Sequence, residues 1–383
     1  MIGCASKSAW VQCMSKYFTH YCSLISSIAQ IELCRQAQSL GELLACIKNL
    51  WNCDQLADHE LLSEISRLNQ TPITDVHVQL AGTWLPYRYQ PKQQLVNWLL
   101  PVGPATEPFQ DETIVRYRQL LLNQIIQPCS SLPSAQQQGE HLTPVKPAGF
   151  IFHLSRCGST LVSGCISELE TTCVFSESPL LTELLLDKNL SPDELQSGLC
   201  ALINLQAAVF PDRPQMIIKW NAWDIFRWEL IREIYPQVPV IFLVRDPVEI
   251  LASHQRLAGR HMAGDRSLAG VNSVFISESR EQTLLAWRSG VLAALLGEMN
   301  RASEQRAVLR IDYKNLDADG IREICQHFGL RPNIGRINQR MKFHSKSGVV
   351  FANDIPVKQA IFSTDDKTRI QQVLSPLYTE FFE

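Results

Sequence analysis

Six residues, Ser155-Arg156-Cys157-Gly158-Ser159-Thr160, place a guanidinium, three hydroxyls, a thiol and one glycine in a single short stretch. Those groups are suited to holding an anion. Gly149–Leu154 before them is a short apolar run, like a buried strand. After them Leu161, Val162, Cys165, Ile166 and Leu169 fall on one face of a helix. A strand, a polar turn and a helix start together point free backbone N–H groups at a ligand, and the helix dipole adds to them. Gly158 lets the backbone approach closely, and Arg156 adds a fork-shaped positive charge. The turn lacks the first glycine and the lysine of a nucleotide triphosphate loop. It is not a cysteine phosphatase loop either, because Ser163 stands where an arginine is needed six residues after Cys157. An ordinary strand-to-helix connection is the bland alternative.

A second segment repeats the design. Pro239-Val-Ile-Phe-Leu-Val-Arg245 reads as another buried strand ending in an arginine. Asp246 can cap the next helix and Pro247 suits its first position. Ser253 lies two turns on, placed to join Arg245 around one anion. By itself Arg-Asp-Pro is weak, since Asp-Pro starts many helices.

Taken together the two segments resemble the sulfotransferase superfamily that uses 3′-phosphoadenosine-5′-phosphosulfate (PAPS), in its bacterial and tyrosylprotein-sulfotransferase-like branch. Ser155 to Leu161 resembles that family's 5′-phosphosulfate loop, and Val244-Arg245-Asp246-Pro247 with Ser253 resembles its 3′-phosphate motif. Ile311 to Leu316 and His327-Phe328-Gly329-Leu330 are similar to two later family segments. The likeness spans about residues 149 to 360. It implies sulfuryl transfer from PAPS to a hydroxyl or amine of a small acceptor, as in secondary metabolite biosynthesis, with adenosine 3′,5′-bisphosphate (PAP) as product and no metal. It implies that Arg156 stabilises the leaving phosphate and that Cys157, Gly158, Ser159, Thr160 and Leu161 line the 5′ site. Arg245 and Ser253 would take the 3′-phosphate, and Lys346 and Gly348 would close over it. Lys219 matches the family's second lysine; a strand-end surface lysine is its bland counterpart. Glu177, just past the second strand, occupies the place of the general base, or else caps the helix at Pro179. Asn221 stands where the cytosolic branch has a catalytic histidine, and an amide cannot serve as base.

His153 inside the first strand is expected to be a hydrogen-bonded core histidine, and His254 to point away from Ser253. Trp220, Trp223 and Trp228 could stack on adenine, but core packing is the stronger expectation. Two other readings remain: a degenerate, sulfotransferase-like domain that binds a nucleotide or a partner, and a P-loop phosphotransferase.

The chain has 383 residues, 45% hydrophobic and 19% charged, so it is globular and long enough for two folding units. A net charge of −3, without any basic run, gives no general attraction to nucleic acid or to an anionic membrane. The twelve cysteines form no C-x-x-C pair and read as reduced core thiols of a cytoplasmic chain. Charged residues interrupt every long apolar run, so no membrane span is expected.

The elements that must position these residues alternate. Strands fit at 149–154, 172–176, 215–220, 239–244 and 306–311, with helices between them. Ser191-Pro192-Asp193-Glu194 is a capping box, and Trp223–Tyr235 and Glu281–Met299 are amphipathic. The pattern predicts an α/β fold: a P-loop-like, doubly wound, mostly parallel five-stranded sheet over 149–383. Ligands then sit beyond the carboxyl ends of the strands. Residues 1–145 are expected to form an α+β accessory region that shapes the acceptor pocket or mediates association, as in a homodimer. In it, helices reach to about 70, strands fall at 76–80 and 94–100, a helix follows over 111–127, and 128–147 reads as a linker or surface loop.

Overall fold

The computed structural model describes residues 16–75, 77–276, 283–305, 308–343 and 361–383. They form two units. One holds the described residues up to Gly103, with Ile114–Thr143 and Ala201–Val209. The other holds Pro104–Thr113, Pro144–Cys200 and the described residues from Phe210 onward. Relative to the expected boundary near 145, residues 104–113 lie in the second unit and 201–209 in the first.

In the first unit, helices Phe18–Ser26, Ile28–Arg35, Leu40–Trp51 and Asp58–Asn69 precede a three-stranded antiparallel sheet. Its strands are β1 (Leu85–Gln90), β2 (Leu95–Leu99) and β3 (Cys129–Ser131), in that order. The strand expected at 76–80 is not formed. Its described residues are a turn, because the Asp75 side chain accepts from His77 N–H and the Asp75 carbonyl accepts from Val78 N–H. The N–H groups of Leu80 and Ala81 go instead to Gln138 Oε1, at 2.9 and 3.1 Å. β1 takes the place of that strand and carries Pro86 at a register shift, a residue that argues against a strand in sequence. The 128–147 stretch is not a loop throughout. β3 and helix Leu132–Glu140 fill most of it, with Ser131 as N-cap and Pro133 in the first turn. The helix expected over 111–127 is two, Gln110–Tyr117 and Leu121–Ile125.

In the second unit β4 (Gly149–His153), β5 (Thr172–Ser176), β6 (Gln215–Lys219), β7 (Val240–Val244) and β8 (Leu309–Asp312) pair in parallel, in the order β5-β6-β4-β7-β8. Every residue of β4, β5 and β7 is buried, which is why the middle residues of these strands are apolar without alternation. On one face Ile151, Ile217, Ile241 and Leu243 pack with Val162, Cys165 and Ile166 of helix Ser159–Ser167. Each such aliphatic side chain contributes about 1.5–3 kcal/mol as an upper estimate. Elsewhere the core is aromatic, with the Trp220 ring stacked on Phe152 and Trp228 edge-on to Phe242. Trp220, Trp223 and Trp228 are all buried core residues. The Ser191–Glu194 capping box forms as expected and opens helix Pro192–Ala208. No described helix is long and apolar enough to cross a membrane.

The chain leaves β4 toward β5 and β6 on one side and later toward β7 and β8 on the other. The order therefore reverses at β4, and the carboxyl ends of β6, β4 and β7 lie side by side.

Candidate active site

Each of those adjacent strand ends delivers a chemically active group. β6 ends in Lys219, β4 runs into Ser155–Thr160, and β7 is followed by Arg245. β5, paired beyond β6, is followed by Glu177.

The β4 loop is wound tightly. Ser155 and Arg156 have φ of 65° and 53°, and Gly158 has 84°. Left-handed backbone costs a non-glycine residue roughly 1–2 kcal/mol, so this conformation must be held by its surroundings. A Cβ at Gly158 would lie 2.5 Å from Leu316 Cδ1 and 2.9 Å from Tyr313 Cδ2, so glycine is required there twice over. The Gly158 carbonyl accepts from Leu161 and Val162 N–H at the start of helix Ser159–Ser167. The N–H groups of the turn before them have no intrahelical acceptor. Ser159 and Thr160 are buried beside them. The Cys157 thiol lies in the core, and burial pushes it up to about 12 against hydrogen bonds from the backbone N–H groups of Leu154 and Ser159. Arg156, half-buried, donates from Nη2 to the Leu257 carbonyl at 2.6 Å.

Arg245 is buried, with its guanidinium 3.9 Å above the centre of the Tyr313 ring. Its Nε donates to Glu249 Oε2 at 2.5 Å, and its Nη1 to the Arg156 carbonyl at 3.4 Å. Glu249 is fixed in turn, because Asp246 caps its N–H at 3.1 Å in helix Pro247–Arg256. Ser253 sits half-buried in the same helix. His254 is fully buried, with Nδ1 accepting from Gly259 N–H and its ring edge-on to His261.

Lys219 is not a surface lysine; it is fully buried. Its Nζ lies 3.0 Å from Glu177 Oε1 and 4.8 Å from the centre of the Phe109 ring. Glu177 has φ of 54°, and its N–H donates to the Lys219 carbonyl at 2.7 Å, extending the β5–β6 ladder by one step. Burial works against its ionisation, but Lys219 and His153 outweigh that and hold the carboxyl well below the usual range. Glu177 is therefore charged at neutral pH. Its helix-capping alternative is not realised, since Ser178 is the N-cap and makes no side-chain cap bond.

His153 is buried, as expected of a core histidine, but its Nε2 is 3.4 Å from Glu177 Oε1. Buried His261 lies in the same electrostatic field; burial, with His153 nearby, holds its imidazole down to about 3. Asn221 donates from Nδ2 to Thr182 Oγ1 at 2.6 Å, and its N–H to Asp224 Oδ2 at 2.9 Å. Burial pushes the Asp224 carboxyl up to about 7 against those hydrogen bonds.

Arg156, Gly158 to Leu161, Lys219, Glu177 and Arg245 thus gather at neighbouring strand ends. Lys346 and Gly348 lie outside the described residues. Sequence reasoning missed Glu249, Tyr313, Phe109 and the approach of His153 to Glu177. The spacing of Arg245 and Glu249, four apart, was the available signal for one of them. Among the described residues no cluster of histidine, cysteine and carboxylate side chains could hold a metal ion.

No family model matches the chain, and no curated protein does. Solved structures do. A sulfotransferase domain from the curacin biosynthetic pathway aligns over 61% of this chain and 99% of its own, at 14% identity and a TM-score of 0.38. A sulfotransferase from Alicyclobacillus acidocaldarius aligns over 62% and 94%, at 12% identity and a TM-score of 0.39. Sulfotransferase STF1 from Mycobacterium tuberculosis aligns over 88% and 100%, at 15% identity and a TM-score of 0.36. Scores and identities this low carry no function across, so the reading of the site rests on its own residues.

Proposed function

We propose that this chain is a PAPS-dependent sulfotransferase acting on a hydroxyl or amine of a small molecule. The observation that carries the reading is the row of strand ends β6, β4 and β7, which sets Lys219, the wound 155–160 loop and Arg245 beside one another. That row offers two separate anion positions. One is the start of helix Ser159–Ser167, with the Ser159 and Thr160 hydroxyls and Arg156, for the 5′-phosphosulfate. The other is Arg245 with Ser253, for the 3′-phosphate. The close approach enforced at Gly158 suits a phosphate cradle.

When bound, PAPS supplies the sulfuryl group and a phosphate leaving group. Arg156 and Lys219 place positive charge where negative charge grows on that phosphate. Glu177 would take the proton from the acceptor as the acceptor's electron pair displaces the leaving phosphate from sulfur, the new bond to sulfur forming as the old sulfur–oxygen bond breaks. While paired with Lys219 the carboxylate is a weak base. An anion bound beside Lys219 would share its ammonium, which would weaken that pairing and raise the basicity of Glu177. Arg245 is already neutralised by Glu249, so an anion there competes with a carboxylate for the same guanidinium. That pairing also favours a second reading, a nucleotide-binding protein without turnover.

Calorimetric titration with PAP, followed by an acceptor screen with labelled PAPS with and without EDTA, tests the proposal. PAP binding with EDTA-resistant sulfation supports it. Binding without turnover on any acceptor supports the second reading. Absence of PAP binding, or transfer that needs magnesium and ATP, overturns both.

A further inference from the structure

Ser155 and Glu177 share an oddity: both have positive φ, 65° and 54°, and neither is glycine. One side chain touches both. His153, 3% exposed at the end of β4, accepts the Ser155 N–H at Nδ1, at 2.9 Å. A nitrogen that accepts an N–H must present its lone pair, so the neutral ring carries its proton on Nε2. That Nε2 faces Glu177 Oε1 at 3.4 Å. Lys219 Nζ meets the same oxygen at 3.0 Å. Both contacts fall on Oε1, which leaves Oε2 for a proton. The charged and titratable groups around the pair are Lys219, Arg156, His261 and Asp224, from the ends of neighbouring elements.

We propose that His153 is a positioning residue that ties the anion loop to Glu177, with Nδ1 holding the Ser155 turn and Nε2–H holding Oε1, so that Oε2 receives the acceptor's proton. The proposal rests on the sulfotransferase reading of the site. It makes the two halves of one imidazole separable. Asparagine puts an oxygen near Nδ1 and can still accept the Ser155 N–H, but it cannot reach Glu177. Glutamine puts an N–H near Nε2 and can still hold Glu177, but it leaves the Ser155 N–H without its acceptor.

The test compares His153→Asn and His153→Gln with the wild type in two measurements. PAP affinity by calorimetry reads the loop. His153→Asn stays within about twofold of wild type, and His153→Gln binds about three- to tenfold more weakly, the range of one lost hydrogen bond. NMR of selectively labelled glutamate reads the other half. The Glu177 carboxyl titrates at higher pH in His153→Asn and unchanged in His153→Gln, because the donor that favours its charged form is lost in the first alone. Long-range nitrogen–proton spectra of the wild type at neutral pH show His153 with its proton on Nε2. Identical behaviour of the two variants in both measurements, or a wild-type ring protonated on Nδ1, overturns the proposal. Wild-type protein that does not bind PAP overturns the sulfotransferase reading instead, while the tautomer and the Glu177 titration still decide the link itself.

Discussion

Lys219→Met strikes the centre of the site and has a magnitude that the structure supplies. The substitution keeps an apolar stem and removes a fully buried charge. At 3.0 Å from Glu177 Oε1, an effective dielectric near 20 gives a direct attraction of roughly 5.5 kcal/mol. Desolvation of the ammonium offsets much of that. Removing one partner alone also strands the other, and for a buried pair that costs about 3–5 kcal/mol. The stranded carboxylate keeps His153, at 3.4 Å, and the more distant charge of Arg156. The pH dependence follows from the signs. In the wild type Lys219 helps to depress the Glu177 carboxyl below its ordinary 4.5, so the pair's stabilisation is complete above that value and lost as pH falls through the folded one. In the variant burial raises the same carboxyl, so the folded state takes up a proton before the unfolded chain does. The variant therefore gains stability as pH falls from neutral toward 4.5. The gap between the two proteins is widest near neutral pH and narrows toward 4.5. Urea unfolding across that window measures it, with the slope checked for constancy. The double variant Lys219→Met/Glu177→Gln removes the stranded charge and should recover at least half of the loss. A gap independent of pH, or a double variant as unstable as the sum of the singles, would refute the coupling.

Arg245→Ala should weaken PAP by about 1.5–3 kcal/mol, the scale of a hydrogen bond to a charged group. Adenosine 5′-phosphate should change far less, and equal losses for both ligands in calorimetry would remove Arg245 from the 3′-phosphate site. Glu177→Gln keeps the shape and removes the basicity, so kcat in the PAPS assay should fall by roughly 10²–10⁴ with PAP affinity nearly unchanged. Near-normal kcat, or loss of PAP together with kcat, would reject Glu177 as base.

The parallel sheet was legible because its strands are buried on both faces and separated by helical periods. β5 and β6 begin at the expected residues, Thr172 and Gln215, and Pro247 and Ser191 start their helices as their positions suggest. The first unit was harder to read. Pro86 interrupts the run that becomes β1, while Val78 and Leu80 alternate without forming a strand because Gln138, far along the chain, takes the Leu80 N–H. Gln138 also shows why 128–147 misled: its polar composition suggests a loop, yet that side chain is buried as a hydrogen-bonding post for the 78–81 turn. A polar residue engaged in this way looks the same in sequence as one in water.

The site divides along the same line. The 155–160 loop was legible because its groups are consecutive, whereas the Lys219–Glu177 pair depends on register. Ser176 pairs with Lys219 across β5 and β6, which brings the next residue of one strand to the last residue of the other. Burial of all five β4 residues erases any pattern that could have singled out His153. Asn221 carries this furthest. In sequence it marks a missing base; in the structure its amide donates to Thr182 and its N–H to Asp224, joining the strand end that bears Lys219 to the helix that follows Glu177. A histidine at 221 would have to replace that brace, because Thr182 Oγ1 takes the Nδ2 donor and itself lies 3.1 Å from Asp224 Oδ2. Under the proposed reaction, the position that the sequence resemblance marks for a missing base is here a brace. Proton acceptance then falls to Glu177, whose backbone N–H is anchored on the Lys219 carbonyl.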